Sequence, residues 1–231
     1  MNFGNNLQRT SPIVLNLIII NSLVYLAGML LSSRFPPGTI EDLFALHHYK
    51  SDVFRPYQLV THMFLHGGFT HLLFNMLALW MFGVVLERVW GPKRFLTFYL
   101  ICGVGAGLAQ MGNYMYDYWD IDHTKLIIDQ FTEAQYQLSM RNNATVGASG
   151  AIMGVVAAFG YLFPNTQLFI IPIPFPVKAK WAIPGIIALD VFGGISRAAN
   201  DNIAHFAHVG GALIGFLIVL YWNRTQKQTF Y

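Results

Sequence analysis

Six apolar runs account for most of the chain, and each is long enough, or nearly long enough, to cross a lipid bilayer as an α-helix. They cover residues 12–31, 71–90, 95–111, 146–163, 181–195 and 203–222. Hydrophobic residues make up 55% of the sequence and charged residues only 11%, whereas soluble domains contain about 25% charged residues. The sequence therefore predicts an all-α integral membrane protein whose six transmembrane helices form one bundle.

The predicted bundle forms one domain, residues 12–222, between a short polar N-terminus, 1–11, and a polar tail, 223–231. The first run lacks a small-residue cleavage site and is followed by further apolar runs. It is therefore predicted to remain as a membrane helix rather than to be removed as a signal peptide. Pro184 and Gly185 interrupt the fifth run, which makes it the least regular of the six.

The distribution of Lys and Arg predicts that both termini are cytoplasmic. In that orientation the inner segments carry eight basic residues and one acidic residue, while the outer segments carry six basic and nine acidic residues. Short cytoplasmic loops of multi-pass proteins are enriched in Lys and Arg. The net charge of +3 comes from few, scattered basic residues, so no nucleic-acid partner is expected.

Polar residues lie near the starts of the three runs that begin on the predicted outer side. His71 and Asn75 belong to the second run, Ser149 to the fourth and His208 to the sixth. Because a helix rises about 1.5 Å per residue, all four lie at a similar depth below the outer surface. Polar side chains in membrane helices usually face a cavity or each other. A serine and a histidine in such a layer are the parts of an activated nucleophile and its general base.

Small residues recur at every fourth position in the fourth and sixth runs, which lets two helices pack closely. They are Gly150, Gly154 and Ala158 in one run and Ala207, Gly211 and Gly215 in the other. This packing is expected to bring Ser149 within hydrogen-bond distance of His208.

Four motifs follow one another along the chain. The region of the second run contains His66-(four residues)-His71-(three residues)-Asn75 and then Gly83-(three)-Glu87-(three)-Gly91. The fourth run contains Gly147-Ala148-Ser149-Gly150, and the sixth contains Ala207-His208-Val209-Gly210-Gly211. In this order, the motifs resemble those of the rhomboid family of intramembrane serine proteases, over nearly the whole six-helix chain.

The resemblance implies a catalytic Ser149–His208 dyad, with the oxyanion held by Asn75, His71 and the backbone N–H of Ser149. It also implies a structural role near the site for a further set of residues, and it implies no metal or other cofactor. That set is Gly147, Gly150, Met153, Gly211 and His66.

The expected substrates are single-span transmembrane proteins, which enter sideways from the lipid bilayer past the fifth helix and are cut near its outer face. The alternative is a catalytically silent rhomboid-like protein that binds membrane helices for quality control. The presence of Ser149, His208 and Asn75 favours the protease, and a transporter is a weaker third interpretation. The short tails favour a minimal form in the bacterial inner membrane; the oligomeric state stays open.

Two positions depart from the family pattern. Tyr57-Gln58 stands where many rhomboids have Trp-Arg in the first loop, and Met153 stands where many have an aromatic residue against the histidine. The loop is therefore expected to be anchored differently, and Met153 is expected to fill the space against His208, whose orientation is less strongly determined.

Other polar residues have more than one interpretation. Asp190 is the only acid well inside a predicted span; it could complete a triad, but because the resemblance implies a dyad, a structural or gating role is expected. His205 is expected to be structural, although its spacing from His208 would also suit a metal pair. His62 and His66 are expected to line the entrance or to bond the first loop, and Glu87 is expected to be structural. The polar segment 112–145 is expected to lie on the outer membrane face or to touch substrate.

Overall fold

The computed structural model describes residues 11–117, 133–170, 174–196 and 203–225, so nearly all of the predicted N-terminal segment and most of the tail lie outside it. The described helices are α1 Pro12–Ser32, α2 Thr39–Phe44, α3 Gln58–Thr61, α4 Phe69–Ala78, α5 Val84–Trp90, α6 Pro92–Asp117, α7 Glu133–Asn142, α8 Ser149–Leu162, α9 Ala179–Ser196 and α10 His205–Thr225. A 3₁₀ turn, His62–Phe64, follows α3, and a π-helical turn, Leu79–Gly83, joins α4 to α5. Two short antiparallel strands, β1 Gln167–Leu168 and β2 Val177–Lys178, precede α9.

Five helical segments are long and apolar enough to cross a membrane, when α4, the π-helical turn and α5 are counted as one. They are Pro12–Ser32, Phe69–Trp90, Pro92–Asp117, Ala179–Ser196 and His205–Thr225. The sixth expected span is α8, which has only 14 residues and therefore rises only about 21 Å. Ten of these residues are buried, because α8 lies among the other helices.

The carboxylate of Glu87 fixes the start of α1. It accepts hydrogen bonds from the backbone N–H groups of Ile13 and Val14, each at 2.9 Å, which have no partner within their own helix. Gly83 packs against Val14, and Gly91, at φ +80°, ends α5 in a conformation that favours glycine. The Gly83–Glu87–Gly91 motif thus has a structural role at the end of the bundle remote from the start of α8.

The backbones of α8 and α10 touch through glycines. A Cβ added at Gly211 would overlap the carbonyl oxygen of Gly150, and one added at Gly215 would lie 2.5 Å from the carbonyl oxygen of Gly154. Only small residues allow two helices to approach so closely. The predicted small-residue stripes therefore form this interface.

The predicted first loop, 32–70, contains α2, α3 and the 3₁₀ turn. The side chain of Gln58 is buried, and its Nε2 donates to the carbonyl oxygens of Asp42 and Val53, each at 3.0 Å. These bonds anchor the loop at the position where the family pattern has Trp-Arg.

The polar segment 112–145 is partly helical in its described residues. It includes the end of α6 and α7, whose residue Arg141 forms an ion pair with Asp42 of the first loop. Thr145 exchanges backbone hydrogen bonds with Leu46, and its Oγ1 lies 2.6 Å from the Tyr114 hydroxyl. In the described residues, 112–117 and 133–145, the segment is thus tied to the first loop and to α6.

The fifth predicted span is a continuous helix. Pro184 lies inside α9 without breaking it, and a Cβ added at Gly185 would meet nothing within 4 Å. The sequence irregularity at this point therefore leaves the helix intact.

Candidate functional site

A cavity of about 1090 Å³ opens at one end of the bundle, where α4, α8 and α10 begin and α6 and α9 end. His71, Asn75, Ser149 and His208 all line it, as their positions at the starts of three helices predict. Ser149 is the first residue of α8, and His208 lies in the first turn of α10.

Ser149 and His208 are in direct contact. The Oγ atom of Ser149 lies 2.8 Å from Nε2 of His208, which is a hydrogen-bond distance. Ser149 is half-buried, and 17% of the His208 side chain is exposed, so the pair faces the cavity from a sheltered position. A serine hydroxyl in contact with an unprotonated imidazole nitrogen can lose its proton as it attacks an electrophile.

The glycines around Ser149 create this geometry. Gly150 lies against the backbone of Ala207, one residue before His208, because a Cβ there would be 3.4 Å from the Ala207 carbonyl oxygen. Since Gly150 and Gly211 are in backbone contact, the first turns of α8 and α10 meet. The side chains of Ser149 and His208 are thereby brought together.

Gly147 brings His71 to the same place. Its φ of +128° suits glycine, and its N–H donates to the carbonyl oxygen of His62 at 2.9 Å. A Cβ at Gly147 would lie 2.8 Å from Cε1 of His71. The turn before Ser149 can therefore seat the His71 ring only because it carries no side chain there.

Two residues that line the cavity, Asn75 and Ser149, carry candidate hydrogen-bond donors. Asn75 is only 7% exposed, and its Nδ2 has no hydrogen-bond partner among the described residues. The N–H groups of Ser149 and Gly150 belong to the first turn of α8, where backbone donors have no partner within the helix. Such donors are suited to binding a developing negative charge.

His66 packs edge-on against His71, with 5.1 Å between the ring centroids. Burial lowers the pKa of His66 to about 4, so its ring is neutral at pH 7. Its neighbour in the first loop, His62, is buried, and its Nδ1 lies 2.8 Å from the carbonyl oxygen of Gln58. Met153 is half-buried on α8, one turn after Ser149, and its predicted packing against His208 stays a prediction.

Asp190 contacts His208, as the triad interpretation of the sequence requires, although the resemblance to a dyad family favoured a structural or gating role. Its Oδ1 lies 3.0 Å from Nδ1 of His208 and 2.8 Å from Nδ1 of His205. The sequence singles out Asp190 as the one acid well inside a predicted span, but it does not determine which polar group that side chain contacts.

Comparison with known proteins agrees with the motifs and the geometry. The family model described as "Rhomboid domain" matches residues 53–224. The chain belongs to the rhomboid family. With five long apolar helices, this rhomboid is an integral, multi-pass membrane protein.

Two curated relatives illustrate the similarity. This rhomboid is 34% identical over 159 residues to the rhomboid protease AarA of Providencia stuartii, which covers 68% of this chain and 52% of AarA. It is 29% identical over 165 residues to the mitochondrial rhomboid protein 1 of Saccharomyces cerevisiae, which covers 71% of this chain and 41% of that protein. The chain thus spans about half the length of these relatives.

Proposed function

We propose that this rhomboid is an intramembrane serine endopeptidase that cleaves transmembrane segments of single-span membrane proteins near the outer face of the bilayer. The observation that carries the proposal is the 2.8 Å contact between Ser149 Oγ and His208 Nε2 in a cavity between membrane helices. The name of the relative AarA, a rhomboid protease, supports the same activity.

In the proposed reaction, Ser149 Oγ attacks the carbonyl carbon of the scissile peptide bond while His208 Nε2 takes the hydroxyl proton. The peptide C–N bond then breaks, and His208 passes the proton to the leaving amine. A water molecule from the cavity, activated by His208 in the same way, hydrolyses the resulting acyl-enzyme. No metal or other cofactor takes part.

The carbonyl oxygen becomes negatively charged when Ser149 attacks. We assign its stabilisation to Asn75 Nδ2, the His71 ring and the backbone N–H of Ser149. The buried position of Asn75 Nδ2, without a partner among the described residues, supports this role. Preorganised donors of this kind are worth roughly 3–4 kcal/mol each.

The proposed membrane architecture has six crossings in one domain, residues 12–222, with α8 as the short fourth one. Both termini then lie in the cytoplasm, in agreement with the distribution of Lys and Arg, and the cavity opens to the outer side. We place the start of α8 below the outer surface, since the helix is about 10 Å shorter than a typical hydrocarbon core. We place the protein in the bacterial inner membrane.

The substrate segment is proposed to enter from the lipid past the outer half of α9. Leu189, Phe192 and Ile195 of that helix are each 70% exposed, so little protein covers this face. The segment has to unwind locally, since helical hydrogen bonds shield its peptide bonds.

The test is cleavage of a single-span membrane protein in proteoliposomes. Wild type and the control Ser33→Ala, which changes an exposed serine at the end of α1, are expected to cleave it. Ser149→Ala and His208→Ala are expected to remain folded and inactive. Cleavage by Ser149→Ala would refute the nucleophile, and binding without cleavage by wild type would indicate the silent helix-binding protein instead.

A further inference from the structure

We propose that Asp190 is a positioning residue for His208 and that His205 holds Asp190 in place, so that the site is a chain of four residues rather than a Ser–His pair. This inference rests on the proposed protease function. It departs from the expectation that Asp190 has a structural or gating role.

The hydrogen-bond pattern assigns the tautomer of His208. A carboxylate only accepts hydrogen bonds, so Nδ1 of His208, 3.0 Å from Asp190 Oδ1, must carry a proton. Nε2 then has a free lone pair and faces Ser149 Oγ at 2.8 Å. Asp190 therefore leaves His208 in the form that can accept the serine proton.

The carboxylate of Asp190 is also placed to stabilise the positive charge that His208 gains in the reaction. When His208 takes the proton of Ser149 it becomes a cation, and the carboxylate is in direct contact with it. The side chain of Asp190 is 12% exposed, so water screens this attraction only weakly. Among Ser-His-Asp proteases, replacing the aspartate by asparagine lowers kcat by about 10⁴-fold.

His205 is a second partner of the carboxylate of Asp190. Its Nδ1 lies 2.8 Å from the same oxygen, and its side chain is also 12% exposed. His205 and His208 are three residues apart and share a face of α10, so one carboxylate can bond both rings.

A pair of glycines in α9 makes room for this arrangement. A Cβ at Gly193 would lie 2.5 Å from Cε1 of His205, and one at Gly194 would lie 3.0 Å from the ring of Phe206. Asp190, Gly193 and Gly194 occupy one face of α9, because residues three and four apart are neighbours on a helix. The first turn of α10 can thus dock on α9 with His205 over Gly193.

The test compares Asp190→Asn with wild type in proteoliposomes that cleave a single-span substrate. If Asp190 acts through His208, we expect kcat to fall about 100-fold while KM changes less than about threefold and the unfolding midpoint is maintained. Glu41→Gln, which neutralises an exposed carboxylate in α2, is the control and is expected to behave as wild type. A kcat within about twofold of wild type for Asp190→Asn would overturn the inference.

A double-mutant cycle separates positioning from a general structural effect. The readout is the rate at which a fluorophosphonate labels Ser149. In the His208→Ala background, Asp190→Asn is expected to slow labelling no further, because the residue through which it acts is absent. If Asp190→Asn slowed the labelling of Ser149 by the same factor with and without His208, the proposal would be contradicted.

A substitution at Gly193 tests the contact between His205 and Asp190 without changing the carboxylate of Asp190. Gly193→Ala is expected to displace the His205 ring and to lower kcat about tenfold, whereas Gly185→Ala, in an open part of the same helix, is expected to leave it unchanged. Equal activities of these two variants would count against the His205–Asp190 contact.

One measurement does not depend on cleavage. In ¹⁵N NMR spectra of histidine-labelled protein, the His208 signals, assigned by their loss in His208→Gln, are expected to report a proton on Nδ1 in wild type but not in Asp190→Asn. The same tautomer in both proteins would overturn the inference. If wild type shows the Nδ1–H form but cleaves no substrate, the proposed function fails while the positioning of His208 stands.

Discussion

At the scale of single residues, the site depends on a few polar atoms held in a largely apolar bundle. Ser149 Oγ and His208 Nε2 are in contact, and the Asn75 amide is buried beside the same cavity. Buried polar groups are usually hydrogen-bonded, and Asn75 Nδ2 has no partner among the described residues, so this donor is a candidate to bind a ligand or a reacting atom.

Replacement of Asn75 by alanine removes a proposed oxyanion donor. We expect kcat to fall about 10²–10³-fold, or roughly 3–4 kcal/mol, with little change in KM, since the charge forms only in the transition state. Cleavage kinetics in proteoliposomes measure this. Asn223→Ala is the matched control, because Asn223 lies at the opposite end of α10, where it donates to the Tyr161 hydroxyl. Equal kcat values for the two variants would contradict the assignment.

The buried His62 is expected to make the unfolding free energy depend on pH. Burial lowers its pKa from 6.5 to about 4, so the unfolded chain takes up this proton before the folded protein does. The unfolding free energy is therefore highest above pH 6.5 and decreases as the pH falls toward 4, by about 3 kcal/mol for this group.

Unfolding midpoints in detergent, measured between pH 7.5 and pH 4, test this difference. His62→Gln keeps a donor for the Gln58 carbonyl oxygen but cannot titrate, so its stability is expected to depend less on pH than that of wild type. If the unfolding midpoints of wild type and His62→Gln changed equally with pH, His62 would not be the titrating group.

At the scale of elements, the contact between α8 and α10 determines the geometry of the site. The two helices touch through Gly150, Gly154, Gly211 and Gly215, and this contact fixes the distance between the first turns that carry Ser149 and His208. Both the interface and the pair were predictable, because small-residue spacing and depth along a helix are properties of the sequence.

The contact of Asp190 with His208 was not predictable in the same way. α9 is otherwise apolar on nearly all sides, so Asp190 indicates the face that turns toward the bundle but not the residue that its carboxylate contacts. The helices α2 and α7 were missed because short helices in polar segments lack a long apolar run. The length of α8 was overestimated because Val146 continues the apolar run, although the turn at Gly147 precedes the helix.

Gly211→Ala tests the helix contact. The added methyl group would overlap the Gly150 carbonyl oxygen, so α8 and α10 must separate. We expect a loss of about 1–3 kcal/mol in unfolding free energy and a marked loss of cleavage. Gly28→Ala is the control, because a Cβ there meets nothing within 4 Å. Unfolding by denaturant in mixed micelles compares the two, and equal stability would refute the close contact.

At the scale of the whole molecule, the bundle places its cavity at one end and the Glu87 cap of α1 at the other. The family and the all-α, multi-pass class were predicted correctly from sequence, since local motifs and apolar runs indicate both. By length and composition five helices can span a membrane, and the crossing of the short α8 stays a proposal.

Cysteine labelling tests the proposed orientation. The native Cys102 is buried, so it gives little background. A membrane-impermeant maleimide is expected to label Ser33→Cys in intact cells, and Thr225→Cys only after permeabilisation. Both positions are at exposed helix ends. The reverse pattern would place the cavity on the cytoplasmic side and contradict the proposed architecture.

The central claim, that His208 activates Ser149 as a nucleophile, is tested most directly by locating a covalent adduct. The purified protein is treated with a fluorophosphonate, and the modified peptide is identified by mass spectrometry. The account predicts one adduct per chain, on Ser149, which is absent in Ser149→Ala and forms about 100-fold more slowly in His208→Ala. An adduct on another residue, or labelling of Ser149 at an unchanged rate in His208→Ala, would contradict it.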